Sequence, residues 1–389
     1  MKSNIRKILR EDFIREDRIK LNVPVPEDIK QIKDVFVKNG HKLFIVGGAV
    51  RDALLGKTPK DYDLATDAVP DKVEEIMNKA GFKTLPTGKA FGVINVFTDT
   101  DEYEIATFRK DIGSGRRPDS VEFTNIETDV KRRDLTINAL FYDIDTGEVV
   151  DLVGGVNDLK KGIVRTVGAP ADRFGEDRLR ILRAIRFAGR FGSQLEPDVD
   201  AALKKDNSLE GVSPERIRDE FIKGIKTAKS TEHFLMLIEK YKLWDGIFPG
   251  IKVNKKFIES NDPILVIATI MIGNDSKVVS KRLNKLTFSN EENKAITFLV
   301  KFSAFNNLND LVQMKGLFNN SGVNDDQLIE FNRFNNILTQ KVVDAFISFK
   351  LTVTGDQVKS ELGIGDGPEV GLAIKKKEIE NFKRLLWYL

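Results

Sequence analysis

The stretch Leu43 to Leu64, LFIVGGAVRDALLGKTPKDYDL, constrains the fold more than any other, because it sets a glycine turn and a carboxylate pair in one short unit. Leu43-Phe44-Ile45-Val46 is an apolar run of strand type, Gly47-Gly48 breaks it, and Ala49 to Leu55 continues with helix-compatible residues before Gly56. Strand, tight turn, helix is the expected form. Two glycines let backbone N–H groups come close to a phosphate, the helix N-terminus adds positive potential, and Arg51 supplies a charged fork. Asp61 and Asp63 follow around Tyr62. In an extended segment the period of two puts both carboxylates on one face, which two aspartates tolerate best with a divalent cation between them. A lone GG is usually just a turn and a lone DxD is usually surface. Their combination, with Arg51-Asp52 between, points to a phosphate-and-metal site.

The chain has 389 residues, enough for two or more domains, and its 41% hydrophobic content is ordinary for a folded protein. Its formal charge is only +3, so a nucleic-acid partner must be met by local clustering of charge. The absence of cysteine removes disulfides, thiolate metal sites and cysteine nucleophiles, in keeping with a reducing, cytoplasmic location. His41 and His233 are too few for a histidine metal site. Met1 to Lys20 is charged with both signs, lacks the apolar core of a signal peptide, and is expected as a helix. The most apolar run, Ile264 to Ile272, is far shorter than the roughly 20 residues needed to span a bilayer, so no membrane partner is expected.

Further along, Glu27 to Asn39 and Val69 to Ala80 read as helices, and Val93 to Phe97 and Tyr103 to Thr107 as strands. A mixed sheet carrying Asp61, Asp63 and Glu104 on neighbouring strands gathers three carboxylates, as two-metal phosphoryl transfer requires. For Glu104 a solvated strand position is the alternative. Phe108 to Phe123 is rich in Gly, Ser and Arg and is expected as a mobile basic loop holding Arg109, Arg116 and Arg117. In Lys131 to Phe141, KRRDLTINALF, Arg132 and Arg133 can meet phosphates, while Asp134 and Asn138 can bind ribose hydroxyls. A hinge is expected at Gly154-Gly155.

From Asp158 to Arg190 nine basic residues stand against four acids, a local balance of +5 that exceeds the total for the whole chain. At the centre, FGEDRLRILRAIRFAGRFG, Leu179, Leu182 and Ile185 form one helical stripe and Arg180, Arg183 and Arg186 another. Arg190 reads as solvated. Asp177 and Arg180, three apart, are expected as neighbours on the helix surface. Cytosine and adenine each present an amino donor beside an unprotonated ring nitrogen, and uracil and guanine reverse that pattern. An Asp/Arg pair can therefore select C and A without a nucleic-acid template. Beyond about residue 205 the spacing is helical throughout, with no catalytic constellation.

GGAVRD followed by DYD, then RRDLTINAL, DLVGGVNDL and RFGEDRLRILRAIRF, resembles in order and spacing the motifs of bacterial-type (class II) CCA-adding tRNA nucleotidyltransferases and their poly(A) polymerase relatives. The core similarity covers roughly Leu43 to Gly192, and VTGDQVKSELGIGDGPEVG resembles the tail signature of the CCA-adding members. The resemblance implies an α+β fold: a polymerase-β-like head with a mixed sheet, followed by all-helical neck, body and tail. The expected division is an N-terminal helical arm at 1–40, the head at 41–160, the neck at 161–225, the body at 226–320 and a tRNA-binding tail at 321–389. It further implies two magnesium ions on Asp61 and Asp63, and triphosphate contacts from Gly47, Gly48 and Arg51. Arg132, Arg133, Asp134 and Asn138 would serve ribose and phosphates. Asp177 and Arg180 would read the base, Glu176 would orient Arg180, and Arg183 and Arg186 would complete the nucleotide-binding set.

The implied activity is addition of C, C and A to tRNA 3′ ends from CTP and ATP, by a monomer or homodimer. Partial CC- or A-addition, poly(A) synthesis and a non-catalytic tRNA-binding module are the alternatives. One departure stands out: the Lys110 to Pro118 loop is slightly shorter than in many CCA-adding enzymes and lacks the tyrosine and acid often found before the paired arginines. The motif from Arg173 to Phe187 is more similar to the CCA-adding members, since Arg178 stands where the poly(A) polymerases usually carry proline.

Overall fold

The computed structural model describes residues 17–113, 118–305 and 307–388, and the chain divides into two compact units at Val212 and Ser213. That boundary falls inside the segment 161–225 expected as the neck.

The first unit is built on an eight-stranded mixed sheet in the order β1-β10-β9-β2-β3-β6-β5-β4. The strands are β1 (Asp17–Lys20), β2 (Leu43–Val46), β3 (Asp63–Thr66), β4 (Lys83–Gly88), β5 (Val93–Phe97), β6 (Glu102–Thr107), β9 (Leu140–Asp143) and β10 (Glu148–Asp151). All neighbours are antiparallel except β3 and β6, which run parallel. Every residue of β2 is buried, and its alternation explains why the run is continuously apolar. Leu43 and Ile45 face the core formed with Ile29, Ile32 and Phe36 of helix Glu27–Lys38 and Val73, Ile76 and Met77 of helix Pro70–Lys79. Phe44 and Val46 face the opposite cluster with Ala65, Phe108, Phe141 and Val150. Phe44, Phe108 and Phe141 pack there as a tilted and edge-on triad with centroids 5.6 to 6.4 Å apart.

Residues 17–20 depart from the expected N-terminal helix, while the helix expected over Glu27 to Asn39 is present as Glu27–Lys38. Asp17–Lys20 is a strand paired with β10, and helix Glu27–Lys38 packs into the head core. Edge pairing and burial of an apolar stripe outweigh the helical character of the charged segment. Residues 1–16 lie outside the described residues. In the expected basic loop β7 (Arg109–Ile112) and β8 (Ser120–Phe123) pair antiparallel, while Arg116 and Arg117 lie outside the described residues.

The expected hinge at Gly154-Gly155 is instead a packed corner. Asp151 accepts the N–H groups of Val153, Gly154 and Gly155 on Oδ1 and that of Val156 on Oδ2, fixing the start of helix Gly155–Lys161. Gly154 adopts φ 78°, and a Cβ on Gly155 would collide with the Thr136 carbonyl. The first unit continues through helices Pro170–Glu176, Leu179–Phe191 and Pro197–Lys205, with short strands β11 (Ile163–Val164) and β12 (Gln194–Leu195) pairing in parallel.

The second unit is helical from Pro214–Thr227 to Pro368–Tyr388. Phe221 packs on Phe234, Trp244 and Phe248, and a second aromatic group joins Phe298, Phe302, Phe318 and Phe346. Capping boxes at Ser289/Glu292, Asn324/Gln327 and Thr354/Gln357 start three of its helices. The apolar runs at 328–338 and 342–351 extend past their helices, which end at Asn335 and Ser348. Among the described residues no helix is long and apolar enough to cross a membrane.

Because Gly155 touches the backbone of the RRDLTIN segment, Gly155→Ala is expected to destabilise the first unit by about 1–3 kcal/mol through overpacking, read as a lowered urea midpoint with unchanged slope.

Candidate active site

Strand register brings the carboxylates to the glycine turn. Val46, the last residue of β2, lies opposite Asp63, the first of β3, so Asp63 stands beside Gly47-Gly48. Gly47 has φ 68°, a conformation that favours glycine, and its N–H is donated to Leu140 O at 3.0 Å. That N–H is therefore committed to the fold and not offered to a phosphate. Helix Gly48–Leu54 follows. By strand alternation Asp63 shares the face of Ala65 and the Phe141 cluster. Leu64 pairs with Ile105 and Ala65 with Ala106, so Glu104, two residues before Ala106, points to that same face. Asp63 is reached by solvent, yet burial around its carboxyl raises its pKa; Arg133 lowers it and Asp61 raises it further. Two carboxylates that influence each other in this way could supply oxygen donors to a divalent cation. Among the described residues no group of three or more carboxylate or histidine side chains converges closely enough to hold a metal by itself.

The paired arginines are organised by a residue that the sequence reading missed. Asp129, 1% exposed, accepts from Arg132 at 2.8 Å on Oδ1 and from Arg133 at 3.0 Å on Oδ2, and Arg109 N–H adds a third bond at 3.2 Å. The Arg133 guanidinium also lies 4.5 Å from the Phe141 ring centroid. Burial lowers the Arg133 pKa and the Asp129 carboxylate opposes that shift. The available signal was spacing: Asp129 stands three and four residues before the arginines, which one helical turn makes neighbours. Arg109 opens the hairpin, and its side chain binds Asp111 and the Phe91 carbonyl.

A second network runs across the unit. Arg51, expected as an open phosphate fork, is buried. It donates to Asn138 Oδ1 at 2.5 Å and to Asp52 at 2.9 Å, and packs over Phe187 and Phe191 at 5.0 and 5.6 Å. Burial lowers its pKa, against the pull of Asp52. Asn138 Nδ2 points at Asp134 Oδ1 at 3.5 Å, and Asp134 Oδ2 accepts from Arg183 at 2.6 Å. Burial disfavours the Asp134 anion, but Arg183 and the N–H of Leu135 outweigh it and hold the carboxyl below the ordinary range. Arg190, expected as solvated, instead donates to Asp52 at 3.1 Å. Arg186 is buried with its guanidinium 4.1 Å from the Phe187 centroid. The arginine stripe therefore packs against the head instead of facing water.

The proposed base-reading residues do not share one continuous helix. Helix Pro170–Glu176 ends, Asp177 is extended at φ −149° and ψ 106°, and helix Leu179–Phe191 begins after Arg178. Asp177 Oδ1 accepts Leu179 N–H at 3.1 Å, which satisfies an orphan donor of the second helix and favours the break. Glu176 bridges Arg173 and Arg180, each at 2.5 Å, and Arg180 is held further by the Arg173 and Arg132 carbonyls. Glu176, Asp177, Arg180 and the Arg132 backbone are thus brought together.

Residues 43–165 match the poly(A) polymerase head domain, and residues 192–254 match the probable RNA and SrmB-binding site of polymerase A. The CCA-adding enzyme of Bacillus subtilis (strain 168) is 43% identical over 209 residues, 53% of this chain and 51% of that protein. The chain thus spans about half the length of the curated relatives it matches. The Bacillus stearothermophilus CCA-adding enzyme, solved in complex with CTP, superposes with a TM-score of 0.66 at 25% identity, over 91% of this chain and 92% of that one. The Thermotoga maritima CCA-adding enzyme, solved with tRNA, shares the fold with a TM-score of 0.67 at 20% identity, over 95% and 98% of the two chains. The chain thus carries a poly(A) polymerase head domain and is similar to bacterial CCA-adding enzymes over about half of its length.

Removing the shared counter-charge is expected to be severe. Asp129→Ala should lower stability by about 3 kcal/mol in chemical denaturation, the low end for a broken buried pair because both arginines keep some solvent.

Proposed function

We propose that this protein adds C, C and A to the 3′ end of tRNA from CTP and ATP without a nucleic-acid template, releasing pyrophosphate, in the cytoplasm. The observation that carries this reading is Asp63, set opposite Val46 beside the Gly47-Gly48 turn, with Asp61 near enough to raise its pKa and Arg133 near enough to lower it. Asp61 and Asp63 would hold two magnesium ions, with Glu104 available on the same face. When bound, these ions supply a lowered pKa at the attacking ribose hydroxyl and charge neutralisation on the triphosphate.

The rest is positioning by the chain's own groups. Arg132 and Arg133, aligned by Asp129, offer donors to phosphate oxygens. Arg51 acts from behind: by donating to Asn138 Oδ1 it fixes the amide, and Asn138 and Asp134 then stand ready for ribose hydroxyls. At the helix break, the Asp177 carboxylate accepts from the exocyclic amino group of C or A, and Arg180, held by Glu176, donates to the adjacent ring nitrogen. Uracil and guanine would leave those groups facing like partners, and an unpaired buried donor or acceptor is what gives such a site its selectivity. Arg183 and Arg186 support this set through Asp134 and Phe187. The tRNA would be held by the segments at 226–320 and 321–389, mainly through phosphates and shape, with salt-sensitive affinity.

The test is incorporation by purified protein with magnesium, on tRNA transcripts ending at the discriminator base or in CC. Two C additions followed by one A are expected. A stop after CC, action on the CC-ended transcript alone, or a run of A residues would assign a partial or polyadenylating activity instead. Asp63→Ala is expected to abolish incorporation while tRNA still binds in a filter assay, and retained turnover would remove the metal role.

A further inference from the structure

Arg178 follows the acid pair directly and is not among the groups assigned above. It is the residue before helix Leu179–Phe191, with φ −64° and ψ −18°. Its NH1 reaches both carboxylate oxygens of Asp206, at 2.9 and 3.0 Å, and the Ser208 carbonyl at 3.1 Å. Asp206 is fixed in turn: its N–H caps helix Pro197–Lys205 on the Ala202 carbonyl, and its Oδ1 also accepts the Ser208 N–H at 3.0 Å. Asp177 thus lies between two anchored neighbours, Glu176 on Arg173 and Arg180, and Arg178 on Asp206 and Ser208.

This placement matters because Asp177 sits at a break. Asp177 is held there by its N–H on the Arg173 carbonyl at 3.4 Å, by its carbonyl accepting Arg180 N–H at 3.0 Å and by its Oδ1 accepting Leu179 N–H at 3.1 Å, so its orientation follows the placement of the residues on either side. The arginine and aspartate side chains are 30% and 56% exposed, and surface pairs of this kind contribute little to global stability. Three acceptors converging on one guanidinium nitrogen suit the setting of a local orientation better than the holding of a fold.

We propose that Arg178, through Asp206 and Ser208, is a positioning residue for nucleotide selection: it holds the Asp177 carboxylate in the direction from which it reads the base. The inference rests on the base-reading role given above to Asp177 and Arg180. It does not require contact between Arg178 and the nucleotide, so its loss should alter choice among nucleotides more than turnover of the correct one.

The test compares kcat/KM for CTP and UTP on the discriminator-ended transcript, for the full-length protein and for Arg178→Ala, Arg178→Lys, Asp206→Ala and Asp177→Ala, with a thermal melt of each. Arg178→Ala and Asp206→Ala are expected to lower CTP-over-UTP discrimination by about tenfold each, with kcat for CTP and the melting temperature nearly unchanged; the double variant should lose no more than either single one. Arg178→Lys should recover part of the loss. Discrimination unchanged in Arg178→Ala while Asp177→Ala relaxes it would overturn the positioning role and leave the base-reading proposal standing. Unchanged discrimination in Asp177→Ala would remove the base-reading role and this inference with it. A loss in Arg178→Ala that tracks a lowered melting temperature and is not recovered by lysine would mark a structural role only, and would also overturn it.

Discussion

The buried bond from Arg51 to Asn138 is the constraint on which the rest of the site depends. Arg51 belongs to the helix after the glycine turn, Asn138 to the RRDLTIN segment, and Asn138 leads through Asp134 to Arg183 on helix Leu179–Phe191. Three separate parts of the chain are thus referred to one another by three hydrogen bonds. A guanidinium can serve such a joint because its fork has fixed geometry and its flat faces pack on rings, here those of Phe187 and Phe191. The turn that places Asp63 and the helix that follows Asp177 are held in one frame for this reason.

A frame built from arginines needs counter-charges of its own. Arg51, Arg109, Arg133 and Arg173 all have their pKa values lowered by burial, with neighbouring arginines lowering them further. Asp52, Asp129 and Glu176 answer this by each serving two arginines: Asp52 joins Arg51 and Arg190, Asp129 joins Arg132 and Arg133, and Glu176 joins Arg173 and Arg180. Each shared carboxylate fixes the distance between two cations that would otherwise repel. The remaining donors can then be offered to an anionic substrate in a set geometry.

Much of this was legible in the sequence. The apolar run at 43–46, the GG break and the DYD pair fixed strand, turn and helix, because strand burial on both faces and a positive φ at Gly47 leave few alternatives. What was not legible came from tertiary partners. Nothing in the local pattern shows that Arg51 and Arg190 find Asp52, since 138 positions separate Arg190 from it. Helical periodicity likewise ran straight through Asp177, where a side-chain cap on Leu179 N–H competes with the ladder and breaks it. Phe108 to Phe123 reads as a loop by composition, yet within it Arg109–Ile112 and Ser120–Phe123 pair as strands.

Asp63 and Asp134 show how one side-chain type is put to opposite uses in a single unit. Burial acts against the anion at both. At Asp134 a guanidinium 2.6 Å away and a backbone N–H overcome that penalty, so the charged carboxylate is favoured by the chain's own groups. At Asp63 the balance runs the other way: Arg133 is not enough, Asp61 adds repulsion, and the charged form is left under-compensated. A group in that state gains from the arrival of a cation in a way that Asp134 cannot, because Asp134 already has one. The protein therefore separates the carboxylate that holds its own arginine from the pair whose charge it leaves under-compensated, and it does so through placement of arginines, the residue type that its local charge balance supplies in excess.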